Sequence, residues 1–392
     1  MVERFAVMDS LLARAGKRMA SGISFACLLL LFSTLPAAAG DAVRVLISEG
    51  RTALSVSGTG GFTIADAGGR LILAQRRGGS GVRVALHRNA VIVRETGAYA
   101  PVAVVWPDPG FLVQVEGRNY RGRVDIYPVN GSLAAVNVVN LEDYVQGVIK
   151  DEIPPGWPAE AAKSMAVIAR TYAVYQMEQQ AGSLFHVKST TASQMYGGAT
   201  GEDPRTTWAV QATRGQVLVF GGRPISAFYH SCSGGATEDA IDIFGPNFDM
   251  IVGAEDPFSG ACPHALWVQR LTANQIEEEL KRAGYPVGRV TGIQDLVRSR
   301  TGRILQIAVQ HTKGTLVLEG RRFREAIGNE VIRSMDLEVR SDALGFTFVG
   351  RGWGHGVGLS QWGAKEMADL AYHYRDILKF YYPLADIGRH QP

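Results

Sequence analysis

Apolar and polar residues alternate with period two in several short runs of the first third of the chain. These are Val43-Arg44-Val45, Val82-Arg83-Val84-Ala85-Leu86 and Ala90-Val91-Ile92-Val93, with Gly, Asp or Asn close to their ends. That period belongs to half-buried strands, so residues 40–123 are expected to form a small β region. A hairpin follows, Val124 to Tyr127 and Leu133 to Val139, and Asn130-Gly131 at its centre suits the positive φ angles of a tight hairpin turn.

The period then changes to three and four. Asn140 offers a helix N-cap, Glu142 and Asp143 occupy the first turn, and Leu141, Tyr144, Val145 and Val148 share one face. Pro154-Pro155-Gly156 must stop that helix, and Pro158 predicts the first position of the next. There Ala162, Met165, Ala166, Ala169, Tyr172 and Ala173 line one side, so many alanines implying close packing. Later, Thr272-x-x-Gln275 predicts a capping box opening a helix through Leu280, with Gly284 as its stop. Strands are expected at Gly292–Val297, Ile304–Gln310 and Thr315–Leu318, and a short helix at Arg322–Ile327. A last helix is expected at Gln361–Leu370. The fold class is α+β, with mixed, largely antiparallel sheets around a long Ala-rich helix.

Charge and cysteine usage change this picture at the N-terminus. Lys17 and Arg18 precede the apolar run Ile23 to Leu35, which ends in Pro36 and the small residues Ala37-Ala38-Ala39-Gly40. Basic, apolar, then small is the order of a secretory signal, and the run is short for a membrane span, so residues 1–39 are expected to be cleaved after Ala39. Their removal takes away four basic and two acidic residues and lowers the formal charge from +3 to +1. So small an excess gives no footprint for nucleic acid. Cys27 leaves with the signal, and Cys232 and Cys262 remain as an even pair for which an oxidising compartment favours a disulfide. A metal site made of these two with His230 and His264 stays open, although the spacing is not that of a zinc finger.

Four segments carry unusual chemistry. Glu152 stands before Ile153, Pro154, Pro155 and Trp157, a setting that can desolvate a carboxyl, raise its pKa and let it serve as a general acid; a solvated helix end is the alternative. Ser193-Gln194-Met195-Tyr196-Gly197-Gly198 mixes polar and aromatic groups, as sugar-binding surfaces do, or is an ordinary strand-to-loop transition. His230 to Glu238 includes Ser231, Ser233, Gly234 and Gly235, small residues that can leave backbone N–H groups open to a ligand oxygen. A serine nucleophile there lacks the Gly-x-Ser-x-Gly elbow and a paired base. Finally, Gly350-Arg351-Gly352-Trp353-Gly354-His355-Gly356-Val357-Gly358 has glycine at every second position, five times. If extended, it presents one face without any Cβ, on which another chain segment or a flat sugar ring can lie.

Several of these segments together resemble one family. Val138 to Val148, Glu152-Ile153-Pro154, Ala166 to Ala173, Ser193 to Gly198, Ser231 to Glu238, Phe323-Arg324 with Arg333-Ser334, Gly352 to Ala364 and Tyr381-Tyr382-Pro383 occur in the order of the stage II sporulation protein D (SpoIID) family, which also contains the LytB amidase enhancers. The resemblance implies a domain over residues 124–387 with a glycan-binding groove. It implies lytic cleavage of peptidoglycan glycan strands between N-acetylmuramic acid and N-acetylglucosamine, with Glu152 as the acid. Gln194, Tyr196, Ser231, Ser233, Gly234, Gly235, Trp353, His355 and Gln361 would line the groove, and Trp362 is also available for stacking. Arg170 and Tyr172 would support Glu152. No cofactor and no metal are expected, because the zinc-binding Cys and His of some relatives have no counterparts in Lys188 to Ser193. An enhancer of a peptidoglycan amidase is the competing expectation.

Overall fold

The computed structural model describes residues 42–391, so the expected signal segment lies outside the described residues. The architecture is α+β with predominantly antiparallel sheets. Strand Ala42–Arg51 pairs antiparallel with Ser132–Asn140 and parallel with Val187–Lys188, which forms one edge of a seven-stranded sheet. The sheet continues through Arg123–Val129, Ala103–Pro107, Phe62–Asp66 and Ile72–Arg76. The expected boundary at residue 123 therefore falls inside a sheet whose strands come from both sides of it. A second, six-stranded sheet holds Val82–His87 and Ala90–Val93. In the hairpin turn, Asn130 and Gly131 take φ of 48° and 76°, the left-handed angles their identities predict.

Helix α1, Leu141–Glu152, begins where the Asn140 side chain accepts the Glu142 N–H at 3.0 Å. Helix α2, Ala159–Gln179, has Pro158 as its N-cap rather than its first helical residue. Its burial is also broader than the periodicity suggests: twelve of its residues, including Ser164, Arg170 and Thr171, are inaccessible, so it is a central helix packed on most sides. The core around it runs from Val43 to Ala385.

Residues 267–348 build a second core of their own, centred on Phe323, Phe348, Ile307 and Ile276. It is covered by two three-stranded sheets, Trp267–Leu271 with Gly345–Gly350 and Leu337–Asp342, and Val290–Arg298 with Ile304–His311 and Gly314–Glu319. Helices Ala273–Arg282 and Gly320–Ile327 pack against it, the first opened by the expected Thr272–Gln275 capping box.

The glycine-rich segment lies between these two bodies. It is not extended: Gly352, Gly354, Gly356 and Gly358 all have positive φ, between 69° and 120°. Any Cβ at these four positions would collide with the Cys232 carbonyl oxygen, His230, the Arg303 guanidinium and the Phe228 carbonyl oxygen in turn. The bare face thus meets the protein's own chain and leaves no room on it for a sugar. Gly352 and Gly354 donate their N–H groups to the His264 and Arg333 carbonyls, whereas Trp353 exchanges a pair of hydrogen bonds with Cys232.

Candidate active site

Glu152 is the last residue of α1, and its backbone is fixed from behind because Ile153, which caps the helix, is 1% exposed and donates to the Ile149 carbonyl at 2.9 Å. The residue as a whole is half-buried, and its carboxyl is crowded by protein. Met195 N–H donates to Oε1 at 2.8 Å, and Gln361 Nε2 lies 3.3 Å from Oε2 and 3.1 Å from the Glu152 carbonyl oxygen. The Tyr229 hydroxyl is a third donor. Crowding by protein raises the Glu152 pKa above its ordinary range, while the hydrogen bonds from Met195, Tyr229 and Gln361 act in the opposite direction. The net direction is upward, which favours the protonated acid.

A buried relay stands behind this arrangement. Tyr144 Oη donates to Gln194 Oε1 at 3.0 Å, and Gln194 Nε2 to Tyr229 Oη at 3.3 Å. Tyr172 hydrogen-bonds Ser193, and so steadies the segment that carries the Met195 N–H. Arg170 is wholly buried and grips Glu142 with two bonds of 2.9 and 2.8 Å, and it also donates to the carbonyls of Ala166, Val210 and Gln216. It ties α1 to α2 ten residues before Glu152.

Several expected groove residues are elsewhere. Gln194 and Ser233 have no exposed surface and Tyr196 is 2% exposed, so none of them can touch a sugar. Tyr196 packs its ring on Tyr144 and donates to Asn137 Oδ1 at 2.7 Å; Ser233 donates to Asp256 Oδ2 at 2.7 Å. Their polar groups are used to hold loops together, a role that residue type alone does not distinguish from ligand binding. Nor is the 230–238 backbone open: the N–H groups of Cys232, Ser233 and Gly235 bond to the Trp353 carbonyl, Ser360 Oγ and Ser233 Oγ. Gly234 is a glycine because the Arg351–Gly352 backbone passes against it. Ser231 is partly exposed, and its carbonyl accepts the Trp362 N–H. Trp353 pairs edge-on with His264 at 4.5 Å and lies under Arg333. His355 lines a cavity that Glu152 does not line. Of the expected set, Gln361 alone bonds to Glu152 directly.

Three aromatic residues near Glu152 were not among the expected groove set. Tyr229 lies 77 positions downstream, with no local pattern to mark it. Trp157 meets Trp362 edge to face at 5.1 Å, and Trp157, Pro155, Gly156, Arg205 and Trp208 line a cavity of about 440 Å³ beside the loop that follows Glu152. Trp208 is 52% exposed, an unusual position for so large an apolar surface. The expected disulfide is not formed in this structure: Cys232 and Cys262 are buried free thiols, hydrogen-bonded to each other, and Cys262 Sγ accepts the His264 N–H at 3.2 Å.

Comparison with known proteins gives a consistent result. The model of the stage II sporulation protein family matches residues 129–220, and that of a domain of unknown function matches residues 264–358, the stretch that contains the second core. The chain is 32% identical to stage II sporulation protein D of Bacillus subtilis, over 63% of this chain and 74% of that protein. It is 32% identical to an uncharacterized protein of Brachyspira hyodysenteriae, over 78% of this chain and 82% of that one. Identity to the amidase enhancer of Bacillus subtilis is 28%, over 61% of this chain but only 39% of that longer protein.

Proposed function

The chain belongs to the stage II sporulation protein D family, which includes the amidase enhancers, and on that premise we propose that it is a lytic transglycosylase of peptidoglycan glycan strands with Glu152 as its acid and base. The observation that carries the reading is a single carboxyl of raised pKa, held by Met195, Tyr229 and Gln361 on a residue that is only half-buried as a whole. Glu152 protonates the glycosidic oxygen. The resulting carboxylate then accepts the proton of the muramyl C6 hydroxyl as that oxygen closes on C1, leaving a 1,6-anhydro end. An internal nucleophile replaces water, so the second carboxylate of ordinary glycosidases is not needed. Trp157 and Trp208 line a cavity beside the loop that follows Glu152, where a sugar ring could stack. The reading goes with action outside the cytoplasm after removal of residues 1–39; among the described residues no helix is long and apolar enough to cross a membrane.

The test is digestion of purified glycan strands, with and without stem peptides, followed by mass spectrometry for anhydromuramyl products. Wild type should yield them and Glu152→Gln should lose about 10²- to 10⁴-fold in rate, the usual contribution of a positioned general acid. Equal product from both would sink the assignment. A second reading, stimulation of a peptidoglycan amidase, is favoured by the name of one relative. It predicts no anhydro ends, and faster amidase cleavage that Glu152→Gln leaves intact.

A further inference from the structure

A cavity of about 420 Å³ opens between the helix Gly320–Ile327, the strand Ile304–His311 and the segment Ile241–Gly245. Its size is that of a small-molecule site. Arg303, Arg321 and Arg324 line it together with His355, and Phe244 and Met335 supply apolar walls. Arg303 is 2% exposed, and neither it nor Arg324 forms an ion pair among the described residues. One Arg303 nitrogen, Nη2, donates to the carbonyls of Ser233 at 2.6 Å and Ala236 at 3.4 Å; Nε and Nη1 are buried without a partner, as is Arg321 Nε. Arg324 uses Nε on the Ile332 and Arg333 carbonyls.

Buried cationic N–H groups without acceptors are costly, and here the cations also repel one another. Burial and then the Arg303 charge bring Arg324 down to about 10, and burial with both arginines holds His355 neutral, near 3. Asp242 and Glu319 line the same cavity; Arg321 is paired with Glu325 at 3.4 Å and reaches Glu319 at 4.0 Å, whereas Arg303 feels the charges of Asp336 and Glu238, and Arg324 those of Glu325 and Glu330, without an ion pair. What Arg303 and Arg324 lack is a paired acceptor with several oxygen lone pairs, the match for guanidinium forks.

We propose that this cavity is an oxyanion-binding site that takes a carboxylate or phosphate carried on a partly apolar ligand. It is distinct from the Glu152 site yet touches it through one residue: His355 hydrogen-bonds the Tyr229 backbone, and the Tyr229 hydroxyl reaches Glu152.

Calorimetric titration of the full chain tests this with three probes: inorganic phosphate, an N-acetylmuramyl dipeptide bearing carboxylates, and uncharged chitotetraose. The muramyl arm rests on the function proposed above; the phosphate arm does not. One saturable site for phosphate or for the muramyl dipeptide is expected, with mutual competition if both bind, and the probe that binds more tightly identifies the source of the oxyanion. Arg324→Met should weaken that binding tenfold or more, and Arg321→Gln, at a less buried position, several-fold. Since Arg324 also anchors a loop, each variant is first checked for an unchanged thermal midpoint, and Arg321→Gln serves if Arg324→Met does not fold. No saturable oxyanion binding by wild type, or equal affinity in a folded variant, overturns the proposal. Binding of chitotetraose alone does so as well, while leaving the Glu152 reading untouched.

Discussion

Glu152 combines two demands that oppose each other: protein crowding makes its ionisation unfavourable, and three donors aimed at its oxygens make the anion tolerable. Because the folded-state pKa lies above the ordinary 4.5, the native protein binds more protons than the unfolded chain between these two values. Stability contributed by this residue is therefore largest below pH 4.5 and falls as pH rises through the raised pKa. Urea melts of wild type and Glu152→Gln across pH 4 to 8 should show wild type losing stability relative to the variant with rising pH; parallel curves would contradict the raised pKa. The position of this residue was legible because a capped helix, two prolines and a buried Ile153 fix where it must stand. Its partners were legible only in part. Gln361 came through resemblance, whereas Tyr229 has no local signature, and Gln194, Tyr196 and Ser233 show that a polar residue in a recognisable motif can be fully buried and bonded to protein.

Helix α1 owes its placement to Arg170 as much as to its own apolar face. The Arg170–Glu142 pair is buried and fully hydrogen-bonded, so removing the guanidinium leaves the Glu142 charge without its cation and takes one donor each from the carbonyls of Ala166, Val210 and Gln216. Arg170→Met should lose about 3–5 kcal/mol by denaturant titration. A change below about 1 kcal/mol would show the pair to be dispensable. Helix and strand positions were legible wherever apolar spacing was regular, as in α1, the 124–139 hairpin and the Thr272 capping box. What spacing does not encode is the number of neighbours: the Ala-rich face of α2 reads as one packed side, yet the helix is enclosed on most of its surface because small side chains admit close neighbours all round.

At the scale of the whole molecule, two large hydrophobic cores and one small cluster share the described residues, and the second core, residues 267–348, announced its strands and helices but not that they would close on each other. Amphipathic patterns say that a face is buried, not against what. The cysteine pair belongs to this scale too, since Cys232 and Cys262 are distant in the chain and adjacent in the fold. Hydrogen bonding from Cys232 lowers the Cys262 pKa, which makes it the thiol that ionises first. Mild oxidation of the folded chain should remove both thiols with a mass loss of two hydrogens. Closing that loop should add about 3–4 kcal/mol to stability. Two thiols that stay reactive in oxidised, folded protein would refute the pairing.

The glycine-rich segment has a consequence for the order of assembly. Its hydrogen bonds reach Cys232 and Glu238 on one side and His264, Arg333 and Asp336 on the other. These partners exist as a surface only once both cores have formed. Glycine gives up more freedom than any other residue on being fixed, so this seam has little local preference to form early. A chain ending before Gly350 would lose this stitch together with Val357, Leu359, Met367, Ile377 and Tyr382 of the first core, so one C-terminal stretch completes both that core and the seam that joins it to the second.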